Sequence, residues 1–545
     1  MSHQSVSPFP VELPRRAVIA SMIGIVAAML MAALDATIVG TAMPRVIAEL
    51  RGFERYTAVT TVYLLASTVV LPLAGKLSDL YGRKPFLLVG VALFAIASAL
   101  CGAAQTMTQL IVFRGLQGIG GGLAQGMAFT TIADLFPPAR RGRISGVMGA
   151  VFGVASVVGP VVGGFLTDGP GWRWCFYVNV PVGIAAFLVL LFEFPRHTAQ
   201  PQQRRTIDWL GALTLVLGVV PTLLALSWGG RDYAWSSPLI VGLLSAGVTL
   251  TLVFLFIESR APEPIIPPSL FRHRVVWTSA LAATGTSVGM FGTTLFIPLF
   301  IQAVIGSSAT RSGAVLTPMM FALIGASMVS GQVITRTGKY KVLAVIGMLT
   351  TLAGLSLLCL MNTYTAYATV VRDMMVIGVG LGITMPIFTL AVQNAVDSRQ
   401  VGVATSSIQF LRTMGGSLGA AIFGAVLANR FGPALQAAMP ADAARTIPPA
   451  VLAALSTPQA LMNPALAARL AATTDHAALA PVIAAIRQAL AVSLHQVFLA
   501  GALVVAASAV VMFMIVDIPL RTSIHHKSTD QREDGLAVQP MVIGD

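Results

Sequence analysis

The sequence predicts an all-α polytopic membrane protein: about fourteen transmembrane helices, forming two six-helix bundles with inverted repeats plus a two-helix insert. Three observations carry this. Apolar residues fill 56% of 545 positions and charged residues only 10%, whereas soluble globular chains are roughly a quarter charged; a normal water-facing surface cannot be covered. The apolar residues gather in runs of about 20, the length that crosses a bilayer as a helix. Two sequence windows also recur about half a chain apart.

Taken in order, the first run (16–42) follows Arg15 and Arg16. Its apolar region is too long for a cleaved signal peptide, and further spans follow it, so it reads as a retained helix. Spans two (56–75) and three (86–104) flank the tight loop "GKLSDLYGRKP". Spans four (107–133) and five (144–166) are glycine-rich, and span six (174–194) follows "WRWCFY". Spans seven (207–227) and eight (238–257) fall outside both repeats and read as an inserted hairpin. The second bundle runs through 275–301, 312–335, 342–361, 366–391, 400–428 and 493–517. The expected organisation is therefore 1–195 for the first bundle, 196–270 for the linker with two extra helices, 271–520 for the second bundle, and 521–545 for a polar tail. A long connection at about 429–492, with segments such as "PALAARLAATT", would carry short surface helices.

The formal charge of +13 does not point to nucleic acid, because the basic residues form no single patch. They fall in alternate short loops, roughly two to one on the side of the N-terminus, the asymmetry that marks cytoplasmic loops. Both termini are therefore expected in the cytoplasm, in a cytoplasmic (inner) membrane. The three cysteines have neither zinc nor disulfide spacing. No phosphate-binding loop occurs, and "GIGGG" follows no strand, so neither an ATP-driven pump nor a dinucleotide site is indicated. No metal or cofactor is expected, and no convergent intramembrane His, Asp or Ser set supports a membrane enzyme such as an acyltransferase.

The repeat pairs "FRGLQGIGGGLAQGM" from Phe113 with "VRDMMVIGVGLGITM" from Val371, at an offset of about 258. This matches Arg114 to Arg372. A weaker pair, "GKLSDLYGRK" and "GQVITRTGKY", has an offset near 256 and matches Gly82 to Gly338. Transporters built from such repeats bind substrate between them.

Charges inside the apolar runs mark the candidate site. Asp35 lies on a small-residue stripe of span one. Arg114 lies about 10 Å inside span four at 1.5 Å per residue, where a charge costs about 3 kcal/mol unless it finds water or a partner. Gln117, Gly118, Gly121, Gly122 and Gln125 share its face. Asp35 and Arg114 are expected to share a central cavity, lined also by Gln117, Gln125 and Arg412. A carboxylate poised between a neighbouring cation and the cost of burial can take up and release a proton; the bland alternative is a permanent ion pair. In the loop, Gly75 and Gly82 permit close approach and turning, and Asp79 with Arg83 and Lys84 forms a charge cluster able to latch two moving halves. In "GAVFGVASVVGPVVGGFLTD", Gly159, Pro160, Gly163 and Gly164 suit close packing and a bend.

Together, "LDATIVGTAMPRV", "GKLSDLYGRK", "RGLQGIGGG", "GVASVVGPVVGG", "WRWCFYVNVPVG" and "RTMGGSLG" resemble, in that order and across nearly the whole chain, the fourteen-helix drug:proton antiporter branch of the major facilitator superfamily. The resemblance implies alternating access and export driven by proton entry. It also implies a proton- or cation-linked role for Asp35, a coupling role for Arg114, a gating loop at Asp79 and Arg83, and an antiporter motif at Gly159–Pro160. Leu80 departs from the loop pattern, which usually has a basic residue there, and Thr335 stands where an acid would repeat in the second half. The expected function is proton-coupled efflux of lipophilic small molecules, cationic ones among them. The alternative is a dedicated exporter of a lipid, fatty acid or endogenous metabolite. The partners would be the small-molecule substrate, protons and membrane lipid, with a periplasmic adaptor in a two-membrane cell.

Overall fold

A computed structural model describes residues 14–50, 55–136, 138–195, 207–230, 232–307, 309–397, 400–439 and 476–520. The polar tail 521–545 and the segment containing "PALAARLAATT" lie outside the described residues. The first half comprises α1 (Arg15–Leu50), α2 (Tyr56–Tyr81), α3 (Arg83–Ala103), α4 (Met107–Leu135), α5 (Pro138–Asp168), the short α6 (Trp174–Tyr177) and α7 (Asn179–Glu193). The hairpin α8 (Trp209–Trp228) and α9 (Pro238–Glu258) follows. The second half holds α10 (Arg274–Leu299), α11 (Ala309–Ala314), α12 (Leu316–Thr337), α13 (Tyr340–Cys359), α14 (Tyr367–Ala395), α15 (Val401–Ala438) and α16 (His476–Phe513).

Among the described residues, thirteen helices are long and apolar enough to cross a membrane. The fourteenth expected span, α4, is equally long but too polar to qualify alone, since it carries Arg114, Gln117, Thr130 and Thr131. All four side chains are buried. Helices α2 and α3 enclose them, so protein rather than lipid meets the polar face. This is the circumstance that makes intramembrane polar groups tolerable.

Three helices outrun their apolar windows. Helix α1 continues to Leu50, α15 to Ala438, and α16 begins at His476. Both edges of the connection expected at about 429–492 are therefore helical. At the end of α10, Pro298 cannot donate its backbone N–H, and the helix continues as a π turn over Phe300–Val304, a usual response to a broken hydrogen-bond ladder.

Gly82 (φ 93°) turns the chain between α2 and α3, and Gly338 (φ 69°) turns it between α12 and α13. Glycine bears this left-handed region without penalty, so these two turns correspond. The other repeat requires a correction of register. Cβ atoms at Gly118 and Gly122 would strike α2, and one at Gly120 would strike α3. In the second half Gly378 and Gly382 abut α12, and Gly380 abuts α13. Packing thus sets the offset at 260, two residues beyond the sequence match. Arg114 has buried Met374 as its counterpart, while the Arg372 side chain is 62% exposed.

The halves meet at the end of the bundle where Gly82 lies. There α2 packs on α15 and α5 on α12. Cβ atoms at Gly75 and Gly402 would collide across the first contact, and one at Gly153 would strike Ile324 across the second. Helix α8 covers the α2–α15 seam, burying Leu215, Val219 and Leu223 with Leu65, Leu71 and Phe410.

Candidate functional site

Four helices and α7's first residue converge on one carboxylate. Asp35 on α1 has no exposed surface, and Arg114 on α4 is 1% exposed. Arg114 Nη1 donates to Asp35 Oδ2 at 2.5 Å and to Gln117 Oε1 at 2.6 Å. Gln117 Nε2 donates to Asp35 Oδ1 at 2.8 Å, as does Asn179 Nδ2 at 3.1 Å. Gln117 also reaches Ser98 Oγ on α3. The Arg114 guanidinium stacks 4.2 Å from the centroid of the Tyr63 ring on α2, the cation–π geometry that suits a desolvated arginine. Both carboxylate oxygens are satisfied, and the pair is neutral overall, which is how a buried charge survives.

This geometry corrects one expectation. Asp35, Arg114 and Gln117 do meet, but they are enclosed by α1, α2, α3, α4 and α7 of the first half. They line no open cavity in this conformation, because Tyr63 and Phe176 lie over Arg114. Gln125 and Arg412, by contrast, are partly accessible. Counting 1.5 Å per residue from the ends of α4 and α15 nearest Gly82, both sit about 15 Å deep.

Asn179, Ser98 and Tyr63 were not singled out from sequence. An asparagine one residue past "WRWCFYV" and a serine in an apolar helix carry no distinguishing spacing.

At the Gly82 face, Asp79 accepts from the backbone amides of Gly402 (3.2 Å) and Val403 (2.8 Å), the first turn of α15. A helix N-terminus presents unpaired N–H groups and partial positive charge to such an anion. Arg83 ion-pairs with Asp79, donates from Nε to Asp134 Oδ2 at 2.8 Å and from Nη1 to Ser78 Oγ at 2.6 Å. Lys84 stands apart from this cluster. Its Nζ donates to the carbonyls of Leu191 and Phe194 at the end of α7, where a cation complements the helix dipole. Lys76, one residue after Gly75, pairs instead with Glu263 at 2.5 Å, tying α2 to the segment after the inserted hairpin. That segment is itself held by Glu258, which is 2% exposed and accepts from the amides of Ile265 and Ile266.

The glycines of α5 divide by role. A Cβ at Gly159 would lie 1.9 Å from Thr37 Oγ1, and one at Gly163 would lie 3.1 Å from the Ile38 carbonyl. Thr37 Oγ1 donates to the Ala155 carbonyl. These contacts seat α5 on the stretch of α1 that bears Asp35, with Pro160 inside the same segment. Gly164 faces open space.

A family model described as the Major Facilitator Superfamily matches residues 25–420. The multidrug transporter protein MdtP of Bacillus subtilis (strain 168) is 40% identical over 529 residues, covering 94% of each chain. Multidrug resistance protein 3 of the same organism is 42% identical over 410 residues, covering 75% of this chain and 80% of its own. An Acurin A biosynthesis cluster MFS-type transporter of Aspergillus aculeatus is 35% identical over 72% of both. Among solved structures, the human organic anion transporter MFSD10 (TETRAN) shares the fold with a TM-score of 0.55 at 14% identity, covering 90% of this chain and 99% of that one. This chain belongs to the Major Facilitator Superfamily, a family of multi-pass membrane transporters rather than enzymes.

Proposed function

We propose that this protein exports lipophilic small molecules by alternating access, driven by proton entry, as a fourteen-helix drug:proton antiporter in the cytoplasmic membrane, with its termini and Gly82 face in the cytoplasm. The observation that carries the reading is Asp35, a fully buried carboxylate bound by Arg114, Gln117 and Asn179. Intramembrane acids are costly and mark proton pathways. The relatives named as multidrug transporters support the substrate breadth.

The geometry supports the following cycle. In the present state the Gly82 face is closed, with Asp79 on the α15 amides and α5 on α12. A proton arriving at Asp35 neutralises the carboxylate and weakens its charge-assisted bond to Arg114, worth about 1.5–3 kcal/mol. Because α5 is seated on α1 through Thr37, two residues from Asp35, the change is transmitted to the helix that touches the other half. One proton crossing 100 mV contributes about 2.3 kcal/mol, enough to accumulate a neutral compound tens-fold.

Asp35→Asn keeps the shape and removes the titration. In proteoliposomes it is expected to abolish pH-gradient-driven efflux while the protein remains folded and inserted. Full gradient-dependent efflux with Asn at 35 would remove Asp35 from the mechanism. Export of a single endogenous metabolite is a second reading, favoured by the similarity to a transporter named for a biosynthesis cluster. A compound panel separates the two by the number of compounds moved.

A further inference from the structure

The charge balance in the middle of the bundle is uneven. Asp35 and Arg114 cancel, but Arg412 on α15 has no such partner. Its Nη1 donates to Gln409 Oε1 at 3.0 Å, and its Nη2 lies 3.8 Å from Met385 Sδ. Among the described residues no carboxylate comes within ion-pair reach of it.

Nor can one arrive by a small side-chain movement. Helix α10 contains no acid along its length. The only acid of α2, Asp79, is held at the Gly82 face, about 16 Å below Arg412 at 1.5 Å per residue. On α14 the only acid is Asp373, twelve residues from Met385 and so about 18 Å away along the helix. Asp35 already accepts from three side chains.

The direction of Arg412 follows from its neighbours on α15. Gly402 and Ser406 lie on the line that touches α2, and Gly415 and Gly419 lie on the line that touches α10. At about 100° per residue, Arg412 lies between Gly419 and Gly416, which both face α10, and its Nη2 reaches Met385 on α14, so it projects where α10 and α14 meet. It is partly accessible there, at mid-depth. A guanidinium placed so has five donors in a planar fork, and Gln409 occupies only one nitrogen.

We infer that Arg412 anchors an acidic group of the transported compound, so that the preferred substrates are lipophilic organic anions such as long-chain carboxylates and sulfonates. This rests on the transport reading above and narrows its substrate class from lipophilic small molecules, cationic ones included, to anionic ones. Arg412 lies in the space that alternating access would expose to each side in turn. An anion accepted there pairs with the guanidinium by two parallel hydrogen bonds, while Met385 offers the adaptable, polarisable contact suited to varied apolar bodies.

The test uses three dansyl-labelled eleven-carbon chains that end in a carboxylate, a methyl ester or an amine. Binding to the purified full-length protein is read by fluorescence, and efflux is measured in proteoliposomes. The wild type is expected to bind the carboxylate about ten- to a hundredfold more tightly than the ester, the range of a charge-assisted hydrogen bond, and to bind the amine most weakly. Arg412→Gln is expected to bring carboxylate affinity down to that of the ester, with a larger loss for the carboxylate than for the ester or the amine; Arg412→Lys retains part of the preference. Wild-type preference for the amine or ester overturns the inference, as does unchanged carboxylate binding in Arg412→Gln. Equal loss of all three probes in Arg412→Gln also overturns it, by assigning Arg412 to structure. Wild-type protein that moves none of the three under an imposed gradient contradicts the transport reading itself.

Discussion

At the scale of single residues, two arginines inside the bundle, one buried and one partly accessible, are treated differently. Arg114 is matched to Asp35 and stacked on Tyr63, whereas Arg412, among the described residues, donates to an amide and a thioether. Removing one partner of a buried pair leaves an uncompensated charge and typically costs 3–5 kcal/mol, roughly. Arg114→Ala is therefore expected to lower thermal stability more than Arg412→Ala, and scanning calorimetry in detergent measures both. Similar losses would mean that the Asp35 network is not what holds α1, α4 and α7 together. Both arginines were legible from sequence, because a charge in an apolar run stands out. So were Asp35 and Gln117 beside Arg114, but the rest of that network was not. Asn179, Ser98 and Tyr63 are ordinary residues of membrane helices until folding brings α2, α3 and α7 around Asp35. Arg372 misled in the opposite sense: it matches Arg114 by identity, yet the glycines that touch neighbouring helices set a register two residues away.

Helices offer a sharper contrast within one motif. The Gly159 site admits no side chain, since its Cβ would meet Thr37, while Gly164 has nothing within 4 Å. Gly159→Val should push α5 away from α1, costing about 1–3 kcal/mol as overpacking does, and should reduce coupled efflux. Gly164→Ala should stay within about 0.5 kcal/mol of the parent, as surface changes usually do. Thermal melting of the two variants checks this; equal effects would show that the glycine run acts by helix flexibility, not by contact with α1. Helix positions were readable along the chain because each buries or exposes an apolar run of bilayer length. Helix ends were less readable. Ala- and Leu-rich sequence continues as helix beyond the apolar window, as α1, α15 and α16 do. Helix α4, expected at 107–133, keeps its polar residues inside a span because its neighbours cover Arg114 and Gln117.

For the molecule as a whole, the closed Gly82 face is a bond between halves. Asp79 joins α2 to the first turn of α15 and to Arg83, which in turn holds Asp134. Among the described residues the second half shows no equivalent, since Thr335 donates to its own helix at Gly331. The latch is therefore one-sided. Asp79→Ala removes two backbone-amide bonds to a carboxylate, so the population open at this face is expected to rise about ten- to a hundredfold. Spin labels at the starts of α3 and α13 would report this as a longer distance by pulsed electron resonance. An unchanged distance distribution would place closure in the α5–α12 contact instead. Gly75, Asp79 and Gly82 pointed to this latch from sequence; its receptor, the amide pair of Gly402 and Val403, carries no side-chain signature and became visible only in the fold.

In the proposed mechanism, coupled export depends on proton uptake and release at Asp35, a step that infrared difference spectroscopy tests directly. Spectra of purified protein with and without a transported compound, compared with those of Asp35→Asn, isolate the carboxyl band of that one residue. A protonated-carboxyl band that changes when the compound binds and is missing in Asp35→Asn is the predicted result. A carboxylate that keeps one charge state with and without compound, while gradient-driven efflux continues, would contradict it.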